Sequence, residues 1–411
     1  MNVLINAYAC SPIWGSEPGM GWNWVSNLAR FCNLYIITEG EWMNEIEKTV
    51  SLHSFKDHLH FYYLPVSDKV RKMCWNQGDW RFYYHYRKWQ KRAYKKAKEI
   101  INEEQIDIIH HLNMVCFREP GYLWKLDKPF IWGPIGGMGV INPAFIKDAP
   151  LSVLLKSKVK YLISDIQLHY MHRVDCACDK ASVIISAVPV AQKKLRAIKK
   201  RDSIMISETG CYELNLSVDD KKSRKEFHIL WVGRFIFTKR LDIALKTITR
   251  IKNLPNLKFH IVGGGTEFQE QKYHQLCSEL GIDHICEWHG VIKNDEVHKL
   301  MRMSDVFLFT SVAEATSTVV PEAINNNLPV VCHDTCGFGP IINERIGRKI
   351  EMVNPEESIS KFAEILRNLY LHRDVLYKMS INCHEAMIPL LWENKAERVF
   401  ELYHKVLINN P

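Results

Sequence analysis

The residues from Ser304 to Ile342, SDVFLFTSVAEATSTVVPEAINNNLPVVCHDTCGFGPII, constrain the fold more than any other stretch. Val306–Phe309 is a short apolar run of the kind that forms a buried strand. A polar loop follows, and Pro321 then suits the first turn of a helix. Asn325–Leu328 ends that helix, and Pro329–Cys332 reads as a second buried strand. Strand, loop, helix, strand is the repeating unit of a parallel sheet, whose ligand crevice lies at the strand carboxyl ends. Glu314 stands just beyond the first strand and Glu322 lies in the helix. Free amides at the helix start suit a phosphate. Two glutamates at this spacing equally describe a solvated surface, since Glu is seldom buried.

The same grammar runs through the chain. Asn2–Ala9 reads as a strand, followed by a Gly- and Pro-rich loop around Gly15, Ser16 and Glu17, a helix through Arg30, and a strand at Leu34–Thr38. Ile106–His111 is a buried strand ending in His110 and His111. These point to opposite faces if the strand persists. A histidine there can reach a crevice or be a packed polar residue. Phe130–Gly137 is a strand running into Gly133, Gly136 and Gly137, either an acceptor-side loop or a plain turn. Leu151–Ala177 reads as helix, Ala181–Ile185 as strand, Pro189–Lys200 as helix and Ser203–Ile206 as strand. The polar segment Val218–Glu226 reads as a linker. Phe227–Val232 then opens a second α/β unit, which Gly233 and Arg234 end, and Lys239 starts the next helix. Arg and Lys five apart across such a turn can clamp a diphosphate, the first by a fork of donors and the second as a point charge. They can also be two exposed cations. Leu257–Val262 is a strand followed by Gly263, Gly264 and Gly265. It does not complete G-x-G-x-x-G, because position 268 is Phe, so a dehydrogenase is set aside.

At 411 residues the chain is too long for one typical core and implies two domains. Its start lacks the charged and apolar regions of a signal peptide, and no apolar run approaches the ~18 residues of a membrane span. Twelve cysteines are scattered without a disulfide-scaffold pattern. Cys176-x-Cys178 and Cys332-x3-Cys336 lack a second pair, so no zinc site is expected, and reduced thiols in a bacterial-type cytoplasm are the simplest reading. The net charge of +8 is uneven: residues 69–98 hold eleven Lys or Arg against the single acid Asp79. Eight aromatic residues, among them Trp75, Trp80, Tyr84 and Trp89, lie in the same segment. Basic and aromatic residues together suit an anionic membrane surface. A solvated basic helix with aromatics turned inward fits equally well, and nucleic acid ranks lowest because no recognised module accompanies the charge.

Ser311, Glu314, Glu322 and Ala323 resemble the donor-site signature S-x-x-E-G-x-G-x-x-x-x-E-A of the retaining glycosyltransferases of family 4, with Ala315 and Ser317 in place of Gly. Gly233, Arg234 and Lys239 are similar to that family's G-R-x-x-x-x-K-G, with Arg240 for the last Gly. Gly15 matches its P-x-x-G-G loop, with Ser16 for the second Gly, and Asp107 and His110 match its D-x-x-H. Gly263 and Gly265 resemble its V-G-x-G loop beside the nucleotide, and His289-Gly290-Val291 its base-contacting turn. The resemblance implies the GT-B fold, two Rossmann-like α/β/α domains facing a central cleft. The expected ranges are 1–210 for acceptor binding, 211–388 for donor binding, and 389–411 for a helix crossing back to the first domain. It implies a retaining, metal-independent transfer of a hexose-type sugar from a UDP- or GDP-sugar to a glycan or lipid-linked glycan in surface polysaccharide biosynthesis. Arg234, Lys239 and the loop amides of Ala315, Thr316, Ser317 and Thr318 would offset the leaving diphosphate. Glu314 would contact the donor sugar and Glu322 the ribose. One of His110 and His111 would face the cleft, and Gly15 and Ser16 the donor phosphates. No cofactor and no metal are expected, there being no Asp-x-Asp motif. The place implied is the cytoplasm, peripheral to the inner membrane face. Two rivals stand: a GT-B enzyme of another reaction, such as a nucleotide-sugar epimerase, and a non-catalytic nucleotide- or glycan-binding protein.

Overall fold

The computed structural model describes every residue except 77, 78, 148, 150, 215, 217–223, 410 and 411, and the side chains of 152 and 156 are likewise undescribed. Most of the expected linker therefore lies outside the described residues. The chain forms two compact units. The first is Met1–Met138, Val159–Gly210 and Trp392–Pro411, and the second is Gly139–Lys158 and Cys211–Leu391.

Seven strands of the first unit are β1 (Asn2–Ala7), β2 (Asn33–Thr38), β3 (Leu59–Tyr63), β4 (Ile108–Asn113), β5 (Phe130–Ile135), β6 (Ala181–Ser186) and β7 (Ile204–Met205). They form a parallel sheet in the order β3-β2-β1-β4-β5-β6-β7. Val3, Leu4 and Ile5 are fully buried, as a central parallel strand covered on both faces requires. Helix Ser16–Leu28 lies over one face with Trp24 enclosed. Helix Trp392–Asn409 packs on it: Trp392 meets Trp24 edge-on at 5.5 Å, and Phe400 stacks on Phe31 at 5.2 Å. Helix Arg81–Glu103 turns Phe82, Tyr86 and Trp89 into the core around Tyr8 and leaves its Lys and Arg residues largely outside.

In the second unit the strands are β8 (Phe227–Val232), β9 (Leu257–Val262), β10 (Cys286–Gly290), β11 (Val306–Phe309), β12 (Val330–His333) and β13 (Gly347–Ile350). Their order is β10-β9-β8-β11-β12-β13, again parallel. Residues 139–158 group here, which departs from the contiguous range 1–210. The reason is local: the Asn142 amide donates to the Met352 carbonyl at 2.6 Å, and the Phe145 ring meets His333 edge-on at 5.5 Å.

Leu151–Ala177 was expected as one helix. It breaks at Met171, giving Leu151–Tyr170 and His172–Lys180. The helix from Pro189 closes at Lys194 and widens into a π turn over Leu195–Lys199, with Lys200 left-handed. Among the described residues no helix is long and apolar enough to cross a membrane.

Trp392→Ala removes a large ring from the first unit's core. It should lower unfolding free energy by about 3–5 kcal/mol, read by chemical denaturation with tryptophan fluorescence.

Candidate donor and acceptor sites

In each sheet the strand order reverses beside the first strand of the unit, between β1 and β4 and between β8 and β11. A parallel sheet opens its crevice at such a point, where the connections leave in opposite directions.

In the second unit, β8 and β11 bring Gly233, Arg234, Lys239 and Glu314 to one end of the sheet. The Gly233 N–H donates to Val262 O at 3.0 Å, and the Gly263 N–H donates to Gly290 O at 2.8 Å. Gly263 has φ +126°, and a Cβ there would collide with the Gly233 carbonyl oxygen, so glycine is required. Gly265 follows with its N–H donating to Glu270 Oε1 at 3.2 Å. Val291, directly after β10, is 84% exposed. These strand ends thus present backbone and one apolar side chain.

The charged groups are arranged unequally. Arg234 is exposed and has no ion-pair partner among the described residues. The Lys239 ammonium pairs with Glu314 Oε1, and both side chains are mostly buried. Glu314 also accepts from Ser311 Oγ at 3.1 Å, while its own N–H donates to Cys336 Sγ at 3.1 Å. Thr310 fixes the loop from below. Its hydroxyl accepts from the Trp231 indole at 3.0 Å and lies 2.9 Å from each of the Lys239 and Arg240 carbonyls. His333 braces Ser311: the Ser311 carbonyl lies 3.3 Å from Nδ1 and Ser358 Oγ 3.0 Å from Nε2. Burial holds this imidazole down at about 4.

Arg240 does not extend the cationic cradle. It stands at φ +52°, a conformation glycine takes freely. Its guanidinium is buried, bound by two hydrogen bonds to Asp242 at 2.9 and 2.7 Å and by one to Phe145 O at 3.0 Å.

Ala315 and Ser317 do not take left-handed backbone conformations, so the loop folds without the two glycines. Ala315 O accepts from the Gly337 N–H at 3.0 Å. Ser317 is buried, Thr316 half-buried, and Ala315 and Thr318 exposed. Glu322 lies in helix Val319–Asn325, where burial raises its carboxyl above the usual range. No hydrogen bond or ion pair joins Glu322 to Glu314 among the described residues.

In the first unit, Gly15 is exposed and caps helix Ser16–Leu28, and Ser16 stands at φ +55° in the position of a missing glycine. Glu17 reaches across the reversal point, where its Oε1 accepts the Val115 N–H just beyond β4. Loss of hydration pushes its carboxyl up to about 7, opposed by the Val115 bond and reinforced by the nearby Glu208 carboxylate. An acid in a first helical turn reads locally as ordinary dipole compensation. Only the contact with Val115, 98 residues away, marks Glu17 out. Cys336 gives no local signal either.

Both histidines of the pair at the end of β4 are buried. His110 is fully buried: its Nε2–H donates to Gly133 O at 2.6 Å, and its Nδ1 accepts from Tyr403 at 2.6 Å. Burial holds it at about 4, partly offset by the Gly133 bond. His111 faces Asn6 Nδ2 at 3.3 Å and is held at about 3 by burial and by His110. Both are neutral packed side chains within the first unit.

Residues 215–380 match the family described as Glycosyl transferases group 1. An uncharacterized glycosyltransferase of Methanocaldococcus jannaschii is 24% identical over 201 residues, covering 47% of this chain and 50% of that protein. The phosphatidylinositol N-acetylglucosaminyltransferase gpi3 subunit of Schizosaccharomyces pombe is 22% identical over 262 residues, covering 63% and 53%. The chain spans about half the length of these curated relatives. The Anabaena HepE structure, solved with UDP, superposes with a TM-score of 0.64 at 14% identity, covering 98% of this chain and 100% of that one.

Glu17→Gln tests the acid at the first reversal point. A folded-state carboxyl raised from 4.5 to about 7 contributes stability that is present below about pH 4.5 and lost as pH rises through 7. The variant should therefore gain on the native chain by about 1–3 kcal/mol across that window, measured as denaturation midpoints against pH. The group 1 glycosyl transferase match lies on residues 215–380, and the two parallel α/β units share the fold of the HepE structure.

Proposed function

We propose that this chain is a glycosyltransferase using a nucleotide-sugar donor, with the diphosphate held by Arg234 and Lys239. The observation that carries the reading is the Lys239–Glu314 pair beside the exposed Arg234 at the strand reversal of the second unit. Arg234 supplies a fork of donors, and Lys239 a charge that can pass from Glu314 to an arriving phosphate. Glu314, released, becomes a hydrogen-bond acceptor for a sugar hydroxyl. Glu322, in its dehydrated setting, serves the ribose, and the turn at Gly290 and Val291 the base.

Transfer breaks the bond between the anomeric carbon and the diphosphate oxygen and forms one to the acceptor oxygen. The acceptor's proton passes to the leaving phosphate on the same face of the sugar, so configuration is retained. The two cations meet the charge that grows on the diphosphate, which is electrostatic stabilisation aimed at the transition state. No divalent ion is needed for that step. UDP in the HepE structure favours a uridine donor, and the hexose follows the family pattern.

Surface chemistry favours a lipid-linked glycan acceptor met at an anionic membrane. Trp80 and Tyr84 are exposed beside Arg81 and Lys88. On helix Leu151–Tyr170, the apolar side chains of Leu155, Val159, Leu162 and Ile166 are also exposed, at helical spacing. An apolar stripe flanked by lysines suits an interfacial helix.

Glu314→Ala and Lys239→Ala should each lower transfer by about 10²–10³-fold, followed as sugar incorporation from a UDP-sugar panel without added divalent metal. Full activity in either folded variant overturns the assignment. Donor consumed without an acceptor points to an epimerase, and donor bound but never consumed to a binding protein.

A further inference from the structure

Strands β8, β9 and β10 of the second unit carry His228, His260 and His289, with His260 in contact with each of the other two. His260 on β9 pairs in register with Glu287, and the register shift between Trp288 and Gly290 falls at His289, whose ring reaches His260. His260 Nδ1 lies 3.1 Å from His289 Nε2 and 3.2 Å from Glu287 Oε2. The three ligand atoms all fall within 4.8 Å of one another.

From these distances we infer a site for a divalent transition-metal ion of the zinc type, with His260 Nδ1, His289 Nε2 and Glu287 as its protein ligands. Bonds of about 2.0–2.1 Å at tetrahedral angles separate neighbouring ligand atoms by about 3.3 Å, close to the two distances from His260 Nδ1. Two imidazoles and one carboxylate are the borderline donors that such ions take, and they leave a fourth position for water. Calcium and magnesium prefer an all-oxygen set.

The surroundings favour the ligating tautomer. His260 Nε2 lies 2.8 Å from His228 Nδ1, and His228 Nε2 lies 3.3 Å from Glu226. A proton on His260 Nε2 is therefore accepted by His228, whose own N–H faces a carboxylate. This is the outer shell that orients ligating histidines. Lys258 holds Glu287 Oε1 at 3.0 Å, leaving Oε2 toward the histidines. His260 is buried, while Glu287 and His289 are half-buried and give an ion access from solvent. The ion would tie β9 to β10 directly below Gly290 and Val291, stiffening that turn without entering the transfer chemistry.

The experiment is zinc titration of the full chain, first stripped with chelator, by calorimetry and by thermal denaturation. The native chain should take up one equivalent and rise in Tm by mass action. Glu287→Gln and His289→Ala should lose that equivalent, and His228→Asn should bind about 10–100-fold more weakly. Cobalt substitution should give a four-coordinate spectrum without thiolate charge transfer. Glu287→Gln is nearly isosteric at a half-exposed position, and circular dichroism establishes its fold. The inference is overturned if the native chain shows no stoichiometric binding, if folded Glu287→Gln binds as the native chain does, or if cobalt reports thiolate ligands.

Discussion

Every strand pairing described in this molecule is parallel, and that single constraint dictates the rest. Parallel neighbours cannot be joined by tight hairpins, so each crossover travels over a face of the sheet and buries it. With both faces covered, chemistry is left to the strand ends. Reversal of strand order beside β1 and beside β8 selects which ends stand open. Gly15, Ser16 and Glu17 follow β1, and Gly233, Arg234 and Lys239 follow β8, because those two strands begin the reversal.

The ion pair of Lys239 with Glu314 shows how a partly buried site keeps charge ready. Withdrawing an ammonium from water is costly unless an opposite charge meets it. Glu314 supplies that charge, and Ser311 and Cys336 hold Glu314 in place. An anion arriving at Lys239 therefore exchanges one partner for another, and most of the dehydration has already been met in folding. Arg234, by contrast, stays hydrated until something binds.

The central strands were legible in the sequence. The expected bounds of β8, β9 and β11 coincide with the observed ones, since β11 is an unbroken buried apolar run and β8 and β9 are mostly apolar and mostly buried. Three of the four edge strands were not. LHFYY, CEWHG and GRKI are half-exposed and interrupted by polar residues, so no apolar run announces them. Local motifs likewise pointed to Glu314, Lys239, Arg234 and the histidine pair, but not to what packs against them. His110 is decided by Tyr403, 293 residues away, a partner that no spacing reveals. Arg240 and Ser16 occupy positions where glycine is expected and keep glycine's backbone conformation, so the shape of the loop survived a change of side chain.

The return of Trp392–Asn409 to the first unit has a consequence for synthesis. The first unit contains residues made before any of the second, yet Trp392, Phe400 and Tyr403 complete its core and satisfy the buried His110. Segments 139–158 and 211–391, which form the second unit, all emerge before that helix. On a ribosome adding residues from the amino end, the second unit can close first, while the first waits with one face of its helix Ser16–Leu28 uncovered. Of the two units, the one started first is finished second.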